Sequence, residues 1–525
     1  MKGNVRKSFV LVVVVASVML ALIGAAGAQQ SDTKAGPYDK GWSALDNVDG
    51  FRDTLKKAGF ELQEDGWIEF FDTIKECCLG HIPDTLANNP WPNTYVVLRM
   101  PTHEGVADPP QAPPGLFWQL RQDEAIVIVG QTPPPAAYFS YQTFANFIPP
   151  YPEGTIPPRI GAAVGDTINI GTINTIGPDR ANQPIVYIIT GHRETEWRVR
   201  QAALKAGYPA AIINVETISP VIAPLGIGAE GSWFYMAHRV AVPADGDELQ
   251  TYVQEASERY EVFRVTPEKE LVPDPEPVPV LRVRGTGHTE MELYPALKRL
   301  RQAILEQYAG KPHKELDTKV WELVTRDGRE LLLEQPYVAL QRGYQIIGGT
   351  RDANYLATYP NFMLREDKDE FVIVYGVNHQ KTGKATYSSV SIYADKDRWF
   401  GVNNGTMLSP DFGDSARRYL PDDPDPNVDM LYAIKVARHC DEGEKYCMQV
   451  NQPDFLDING KTYTCLLDDL ETPDIVESEQ LDFNKEEMFF LFRSYMEPET
   501  NVSPDDNELL YDQAIYFGPY EFPEP

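Results

Sequence analysis

The segment Asp123–Gly130, DEAIVIVG, returns later in the chain as Asp369–Gly376, DEFVIVYG, and this repeat is the main indication of the fold. Each copy opens with two acidic residues, continues as an apolar run rich in β-branched residues, and ends at a glycine. A short apolar run of this composition is typical of a strand that is buried on both faces of a sheet. The first and second halves of the chain therefore each contain one strand of the same kind.

Three shorter matches follow this one in the same order, and only the connecting lengths change. One short match arises easily by chance, but four in a common order indicate a duplicated domain. The sequence predicts an α+β fold of tandem duplicated domains with mixed or antiparallel sheets, forming a pseudo-two-fold pair, and the junction of the pair is the expected place for a cleft. The further matches are Phe139-Ser140 with Thr143 against Tyr387-Ser388 with Ser391, Asn169–Thr172 against Asn403–Thr406, and Tyr187–Ile189 closing at Arg193 against Tyr432–Ile434 closing at Arg438.

Turn residues, proline-rich segments and helical periodicity divide the chain further. Asn47–Ala58 and Trp67–Cys78 have the apolar spacing of helices and predict a small helical N-terminal unit. Leu271–Val280 alternates proline with acidic and apolar residues and predicts an extended spacer. Glu290–Tyr308 carries the clearest helical stripe and is predicted to brace the two repeats. The predicted boundaries are 1–28 for a signal peptide, 29–92 for a leader and the helical unit, 93–267 for the first repeat, 268–334 for the spacer and long helix, 335–450 for the second repeat, and 451–525 for an acidic C-terminal region whose aromatic clusters predict packing on the body.

Residues 1–28 have the features of a secretion signal. Cationic residues precede the apolar run Phe9–Ile23, and Ala26-Gly27-Ala28 is a small-residue cleavage site. We expect cleavage, a secreted or extracytoplasmic location in the periplasm or at the cell surface, and no membrane span in the mature chain. An uncleaved anchor is the alternative, because Phe9–Ala28 is just long enough to cross a bilayer.

The charge of the chain argues against one class of partner. The chain carries 47 Lys+Arg against 77 Asp+Glu, a net charge of −30, and loss of the three cations of the signal takes this to −33. Nucleic acid and anionic lipid carry charge of the same sign and are disfavoured as partners. The charge does not distinguish a small-molecule substrate from a polymeric one.

The five cysteines predict at least one disulfide, because an exported chain meets an oxidising environment. Cys440 and Cys447 are close enough in sequence to close a short loop in the second repeat. Cys465 then pairs with either Cys77 or Cys78, which leaves one thiol over. Zinc binding is the alternative, since His439 stands beside Cys440, but the spacing follows no standard zinc pattern.

The ends of the repeat-closing strands carry the candidate catalytic residues. His192 and Arg193 follow the first of these strands, and Arg438 and His439 follow the second. Histidine titrates near neutral pH, so a histidine beside an arginine at a strand end is suited to acid–base catalysis or to anion binding. A surface salt link is the simpler interpretation of the same residues.

The repeated Asn-x-Gly-Thr segments are the candidate ligand-binding loops. Asn169 with Thr172, and Asn403 with Thr406, place an amide and a hydroxyl around a glycine that permits a tight turn. If the repeats are related by a two-fold axis, the two loops are able to face each other. The alternative is that Asn and Thr only cap the turn.

The segment Asp422–Asp429 is the densest group of oxygen ligands in the chain. Outside the cell such a loop is suited to structural Ca²⁺, which prefers carboxylate oxygens, although the order of an EF-hand and its glycine are absent. A solvated acidic loop is the alternative. Calcium is the only cofactor that the sequence predicts, with candidate ligands Asp422, Asp423, Asp425 and Asp429.

Complete catalytic signatures are absent from the sequence. There is no Gly-x-Ser-x-Gly elbow and no His-Glu-x-x-His zinc helix. Gly413-Asp414-Ser415 resembles the nucleophile block of SGNH esterases, but no Asp-x-x-His follows it. Two functions stay open: an exported hydrolase or lyase with a site at the junction of the repeats, which the clustered polar residues slightly favour, or a non-catalytic surface, structural or ligand-binding protein, with calcium as its stabilising ion.

Overall fold

The structure, a computed structural model, combines helices with two large sheets, which agrees with the mixed class predicted. The chain divides after Ser43, and the described helices and strands all lie in Ala44–Pro525. The predicted signal peptide, Cys77 and Cys78, and the side chain of Cys465 lie outside the described part. The structure describes residues 42–71, 76, 94–109, 112–149, 160–324, 330–332, 349–365, 369–394, 403–450, 456–458, 461–466, 474–477 and 487–519.

Ten strands in the first half of the chain form one sheet. They are β1 (Phe60–Phe70), β2 (Thr94–Arg99), β3 (Ala125–Gln131), β4 (Ala136–Phe147), β5 (Ala162–Ala163), β6 (Ile168–Asn169), β7 (Pro184–Thr190), β8 (Ile213–Thr217), β9 (Trp233–Pro243) and β10 (Glu261–Pro267). Nine of them lie in the order β5-β4-β9-β2-β1-β10-β3-β7-β8, and β6 pairs with β4 beside β5.

The second half of the chain forms a nine-stranded sheet and two small ones. Its strands are β11 (His313–Val320), β12 (Glu322–Val324), β13 (Glu330–Leu332), β14 (Ala353–Tyr359), β15 (Phe371–Val377), β16 (Tyr387–Ala394), β17 (Asn403–Leu408), β18 (Leu431–Ala437), β19 (Cys447–Gln449), β20 (Leu456–Ile458), β21 (Lys461–Leu466), β22 (Asp474–Glu477), β23 (Met488–Tyr495) and β24 (Gln513–Phe517). The large sheet has the order β17-β16-β23-β14-β11-β24-β15-β18-β19; β12 pairs with β13, and β20, β21 and β22 form the third sheet.

The two large sheets take their strands from the chain in the same succession. In each sheet the first strand is central and lies between the second strand and the last. The pair at one end, β7 with β8 and β18 with β19, is parallel, whereas the other described pairings in both sheets are antiparallel. Three of the four echoed segments begin in or directly before strands at matching places in the two orders, whereas Asn169 lies in β6, which is outside the nine-strand order of the first sheet.

The echoed acidic pairs have a local role at the start of the central strands. The Glu124 carboxylate accepts a hydrogen bond from the backbone N–H of Arg121 at 2.9 Å. The Glu370 carboxylate accepts one from the backbone N–H of Arg365 at 2.8 Å. Both carboxylates are buried, so each closes the turn before its strand by satisfying a backbone donor that would otherwise lack a partner.

Five described α-helices pack on the sheets. They are α1 (Val48–Lys57), α2 (Arg193–Lys205), α3 (Gly246–Gln254), α4 (Ala256–Arg259) and α5 (Tyr294–Gln307). Helix α2 connects β7 to β8, because parallel neighbours need a crossover. The predicted apolar stripe of α5 is buried, but among the described residues its hydrophobic cluster contains only residues of the second half of the chain, including Ile373 and Ile515. The expected brace between the repeats is therefore wrong.

Two sequence-based assignments change in the structure. Trp67–Phe70 was expected to be helical but forms the end of β1, where it pairs with Val96–Arg99. Pairing with a neighbouring strand overrides a local apolar spacing that fits either period. The second sheet draws strands from His313 to Phe517, on both sides of the predicted range 335–450. Phe490 and Tyr516 are fully buried in it, which confirms that the C-terminal aromatic clusters pack on the body.

The predicted disulfide joins Cys440 to Cys447 and is confirmed. It lies in the link between β18 and β19, which are parallel neighbours like β7 and β8. In the first sheet a helix connects β7 to β8, whereas in the second sheet a short loop closed by the disulfide connects β18 to β19. The covalent link thus holds β19 beside β18 without a crossover helix.

A side chain of β8 links this end strand to β4 near the opposite end of the first sheet, which makes the sheet nearly barrel-like. The Glu216 carboxylate accepts hydrogen bonds from the backbone N–H of Thr143 at 2.7 Å and from the Tyr187 hydroxyl at 3.1 Å. Thr143 lies in β4 between the segments paired with β5 and β6, so Glu216 fills a gap in the ladder. Burial raises the pKa of the Glu216 carboxyl to about 7.

We expect Glu216→Gln to remove the loss of stability that ionisation of this buried carboxyl causes at high pH. The pKa of Glu216 is raised in the folded state. The contribution of its protonated carboxyl to the free energy of unfolding is therefore complete below the unfolded pKa near 4.5 and is lost as the pH rises through about 7. Relative to the parent, the variant should be more stable at pH 8.5 than at pH 4 by on the order of 3 kcal/mol. Urea denaturation at both pH values measures this, and parallel shifts of the two proteins would contradict it.

Candidate functional site

The junction of the two large sheets is filled by tyrosine rings. The ring centroid of Tyr138 in β4 lies 5.7 Å from that of Tyr387 in β16 and 5.5 Å from that of Tyr495 in β23. The rings of Tyr387 and Tyr495 stack at 4.5 Å. All three side chains are buried, and apolar residues of both sheets belong to one continuous cluster. The described residues therefore pack together where the sequence predicted a cleft.

A buried carboxylate ties the predicted Asn169 loop to the second half of the chain. Asp352 accepts hydrogen bonds from the Tyr138 hydroxyl and from the Asn169 amide, both at 2.8 Å. The same amide donates to the carbonyl of Asn501 at 2.9 Å, and its oxygen accepts from the backbone N–H of Gly171 at 3.0 Å. Burial raises the pKa of Asp352 to about 6. Both amide protons of Asn169 are thus engaged within the protein.

The second Asn-x-Gly-Thr segment differs from the first. Thr172 closes a turn, in which its hydroxyl accepts from the backbone N–H of Asn169 at 3.0 Å. Asn403–Thr406 instead lies within β17, where the Thr406 hydroxyl donates to Ser391 at 2.8 Å. The expectation of two matching loops is wrong, because pairing with β16 continues through the second segment. The side chain of Asn403 lies outside the described part.

Asn169 gives a direct test of the polar link across the junction. We expect Asn169→Ala to lower the free energy of unfolding by about 2 kcal/mol, since it removes a hydrogen bond to a buried carboxylate. Asn169→Asp should cost more at pH 8 than at pH 5, because it sets a second carboxylate against that of Asp352. Chemical denaturation of both variants measures these losses, and a change below about 0.5 kcal/mol in both would contradict the role.

His192, the first predicted catalytic histidine, caps helix α2. Its side chain is 2% exposed, and its Nδ1 accepts from the backbone N–H of Thr195 at 3.2 Å. Its Nε2 lies 3.0 Å from the carbonyl of Val272 and 3.1 Å from the backbone nitrogen of Asp274. The ring therefore fastens the proline-rich spacer to the end of β7. Its role as an acid or base stays a prediction.

Arg193, beside it, lines an open groove of about 380 Å³. The other lining residues are Glu194 and Trp197 from the first turns of α2, and Asp274 from the spacer. Arg193 pairs with Asp274, and Glu194 pairs with Arg198. Trp197 is 59% exposed, which is unusual for a side chain of its size.

The second predicted strand end is arranged differently. Arg438 donates from Nε to the carbonyl of Leu364 at 2.8 Å, while the His439 side chain is exposed beside the disulfide. Cys440, Glu444 and Cys447 are the one group in the described ranges whose ligand atoms are close enough to share a metal ion. The disulfide uses two of those three atoms, so it takes the place of the zinc alternative.

The acidic segment predicted to hold calcium is bound by arginines. Arg299 of α5 bonds to both Asp423 and Asp425 at 2.7 Å, and Arg417 bonds to Asp429 at 2.7 Å. The hydrogen bonds from Arg299 hold the pKa of Asp423 and Asp425 below the usual range. Guanidinium groups thus supply the positive charge that the prediction assigned to a metal ion. Asp422 is exposed, and the calcium assignment stays a prediction.

A buried histidine lies between two carboxylates in the second half of the chain. His379 Nδ1 lies 2.8 Å from Glu290 Oε1, and its Nε2 lies 3.7 Å from Asp512 Oδ2. Burial alone would lower the pKa of His379, but the Glu290 and Asp512 carboxylates outweigh it and raise this pKa to about 10. The two carboxylates therefore favour the imidazolium form of His379 at neutral pH.

A second buried ion group surrounds Lys384. Its ammonium lies 2.8 Å from Glu497 Oε1 and 2.5 Å from Glu508 Oε2. Glu508 also accepts from the backbone N–H of Thr286 at 3.0 Å and from that of Gly287. The glycine-rich turn before α5 thus holds an anion, as such turns do, and that anion is a side chain of the same protein.

These ion groups could not be found from sequence spacing. Glu290, His379 and Asp512 come from three segments that only the sheet order brings together. One signal was available: the turn Arg284–Glu290 contains two glycines with positive φ, Gly285 and Gly287, and amides in such a turn are suited to an anion.

Comparisons with known proteins add no function. Neither the protein-family models nor the curated proteins contain a match. An uncharacterised protein from Burkholderia cenocepacia has a TM-score of 0.33 at 9% identity, over 90% of this chain and 87% of its own. The tandem CBM22 domains of Xyn10C from Paenibacillus barcinonensis reach a TM-score of 0.14 at 6% identity, over 88% and 92%. Truncated AlyQ, with CBM32 and alginate lyase domains, reaches 0.14 at 8% identity, over 87% and 97%. TM-scores this low carry no argument.

Within the described ranges, no helix is both long and apolar enough to cross a bilayer. The disulfide is consistent with an extracytoplasmic location, because disulfides persist in oxidising compartments.

Proposed function

We propose that the two large sheets are a tandem duplication that forms a pseudo-two-fold pair. The cross-strand registers support it. In each half a tyrosine, an arginine and a serine lie opposite one another on three neighbouring strands, with the arginine over the tyrosine ring. The two rows are Tyr95, Arg239 and Ser140, and Tyr355, Arg493 and Ser389.

This register also relates the residues at the junction. Tyr138 and Tyr387 each lie two positions before the serine of their row, so the register makes them equivalent. The match made on sequence alone pairs Tyr387 with Phe139 instead, so the two alignments differ by one residue. These two tyrosines are in ring contact with each other. Contact between equivalent residues is the expected property of an interface around a two-fold axis.

We propose that the mature protein is an exported, non-catalytic ligand-binding protein. The observation that carries this is the packing of the junction, where three tyrosines and the Asp352 link occupy the position expected for an active site. A hydrolase or lyase at that junction would need an open space beside a titratable group. The groove at Trp197 offers an outer surface for a ligand instead.

Export is part of the same proposal. It rests on the signal-like residues 1–28 and their small-residue cleavage site. The Cys440–Cys447 disulfide supports it, because such a link is maintained outside the cytoplasm.

A co-sedimentation assay tests binding and catalysis together. The mature chain is mixed with insoluble cellulose, chitin, xylan, peptidoglycan and collagen, and both pellet and soluble products are measured. We expect the protein in the pellet of at least one polymer, with no product released. Release of product that stops in His192→Gln would overturn the non-catalytic assignment. Absence from every pellet would overturn the binding function.

A further inference from the structure

The groove beside Trp197 is built in advance of any ligand. One wall is the start of α2 and the other is the spacer, and the backbone N–H of Arg193 donates to the carbonyl of Asp274 at 2.9 Å. A second backbone bond, from Glu276 to the carbonyl of Gly191 at 2.8 Å, continues this attachment. The buried ring of His192 lies beneath both. Little ordering is therefore required when a ligand binds, which favours affinity.

The charges that line the groove are already compensated. Arg193 is paired with Asp274 and Glu194 with Arg198, and Glu196, the residue directly before Trp197, is paired with Arg200. A cationic ligand would meet the Arg193 guanidinium, and an anionic ligand would meet two carboxylates in a chain of net charge −30. A neutral ligand with several hydroxyls can bond to the remaining N–H groups and lone pairs without breaking a pair.

Trp197 supplies the apolar surface that such a ligand also needs. Its side chain is 59% exposed, and within the described ranges no hydrogen bond or ring contact engages it. An indole presents a large, flat and rigid face with a polar N–H at its edge. Pyranose rings have one face of C–H groups and an edge of hydroxyls, which matches an indole face bordered by charged side chains.

We propose that this groove is a saccharide-binding site for a neutral glycan, in which a sugar ring stacks on Trp197. Hydroxyls on the edge of that ring bond to the paired Arg193 and Asp274 and to Glu194. The inference rests on the proposed binding function and names its ligand class and its surface.

Affinity electrophoresis through gels containing soluble polymers tests the site. The neutral probes are hydroxyethyl cellulose, xylan, galactomannan, laminarin and starch, and the charged probes are alginate and polylysine. We expect at least one neutral probe to retard the mature protein. Trp197→Ala should weaken that retardation at least tenfold, and Arg193→Ala by a smaller factor.

Trp67→Ala is the matched control, because Trp67 is also exposed, at 37%, but lies in β1 away from the lining residues. Its retardation should equal that of the parent. Undiminished retardation of Trp197→Ala, or retardation by the charged probes alone, would overturn the site, as would a failure of all neutral probes. If Trp197→Ala is retarded as strongly as the parent and the parent co-sediments with an insoluble polymer, the binding function stands and only the saccharide groove fails.

Discussion

Replacement of Lys384 by methionine is expected to lower the free energy of unfolding by about 3 to 5 kcal/mol, the usual cost of removing one partner from a buried ion group. Glu497 and Glu508 would keep their burial but lose the ammonium that lies within hydrogen-bond distance of both. The two carboxylates hold the pKa of Lys384 above its usual value, although burial acts against this. Urea denaturation at pH 7 measures the loss.

Two further variants separate loss of the charge from loss of the side chain. Lys314→Met removes an exposed lysine of β11 and should leave stability within about 0.5 kcal/mol of the parent. Adding Glu497→Gln and Glu508→Gln to Lys384→Met should recover much of the loss, because no buried charge is then left unpaired. A Lys384→Met protein as stable as Lys314→Met would show that the group contributes nothing.

The same substitution should loosen the glycine-rich turn. The amides of Thr286 and Gly287 bond to Glu508, whose position depends on Lys384. We expect faster hydrogen exchange at those two amides in Lys384→Met than in the parent, since their acceptor is no longer fixed.

The second large effect concerns His379 and depends on pH. Its folded pKa is raised from 6.5 to about 10, so its contribution to stability is complete below pH 6.5 and is lost as the pH rises through 10. We expect His379→Gln to cost on the order of 4 kcal/mol at pH 6 and much less at pH 10. Denaturation series at the two pH values measure the difference.

Controls for His379 come from its own partner and from an exposed histidine. His379→Gln combined with Glu290→Gln should recover part of the loss at pH 6, because Glu290 is then no longer a buried carboxylate that lacks its cation. His288→Gln, at an exposed position, should change stability little at either pH. A cost for His379→Gln that is equal at pH 6 and pH 10 would show that the imidazolium charge is not what stabilises the fold.

The sequence predicts the strands well, and the reason is local. β3 and β15 are runs of β-branched residues, and the echo between them needs no knowledge of tertiary structure. The helix α5 follows equally from its own spacing. Trp67–Phe70 could not be assigned in this way, because its apolar spacing fits both a helix and a strand until β2 is placed beside it.

The candidate site was predictable only in part. Arg193 was identified from its strand end and does line a groove, but Trp197 and Asp274 reach that groove through the helix and the spacer. The predicted role of His192 depended on exposure, which sequence cannot give; its ring is buried against the backbone of the spacer. The ligand-binding role expected for Asn169 stays a prediction; its amide bonds to Asp352, which lies 183 residues away and was not foreseen as its partner.

The central position of the first strand in each large sheet determines when that sheet can be completed. Its neighbours include the last strand, so β1 pairs with β10 and β11 pairs with β24 across about two hundred intervening residues. Neither sheet can close its middle until the whole of its own segment has been synthesised. A chain that terminates before Gln513 therefore loses the interior strand β24, and with it the support of β11 and β15 on either side.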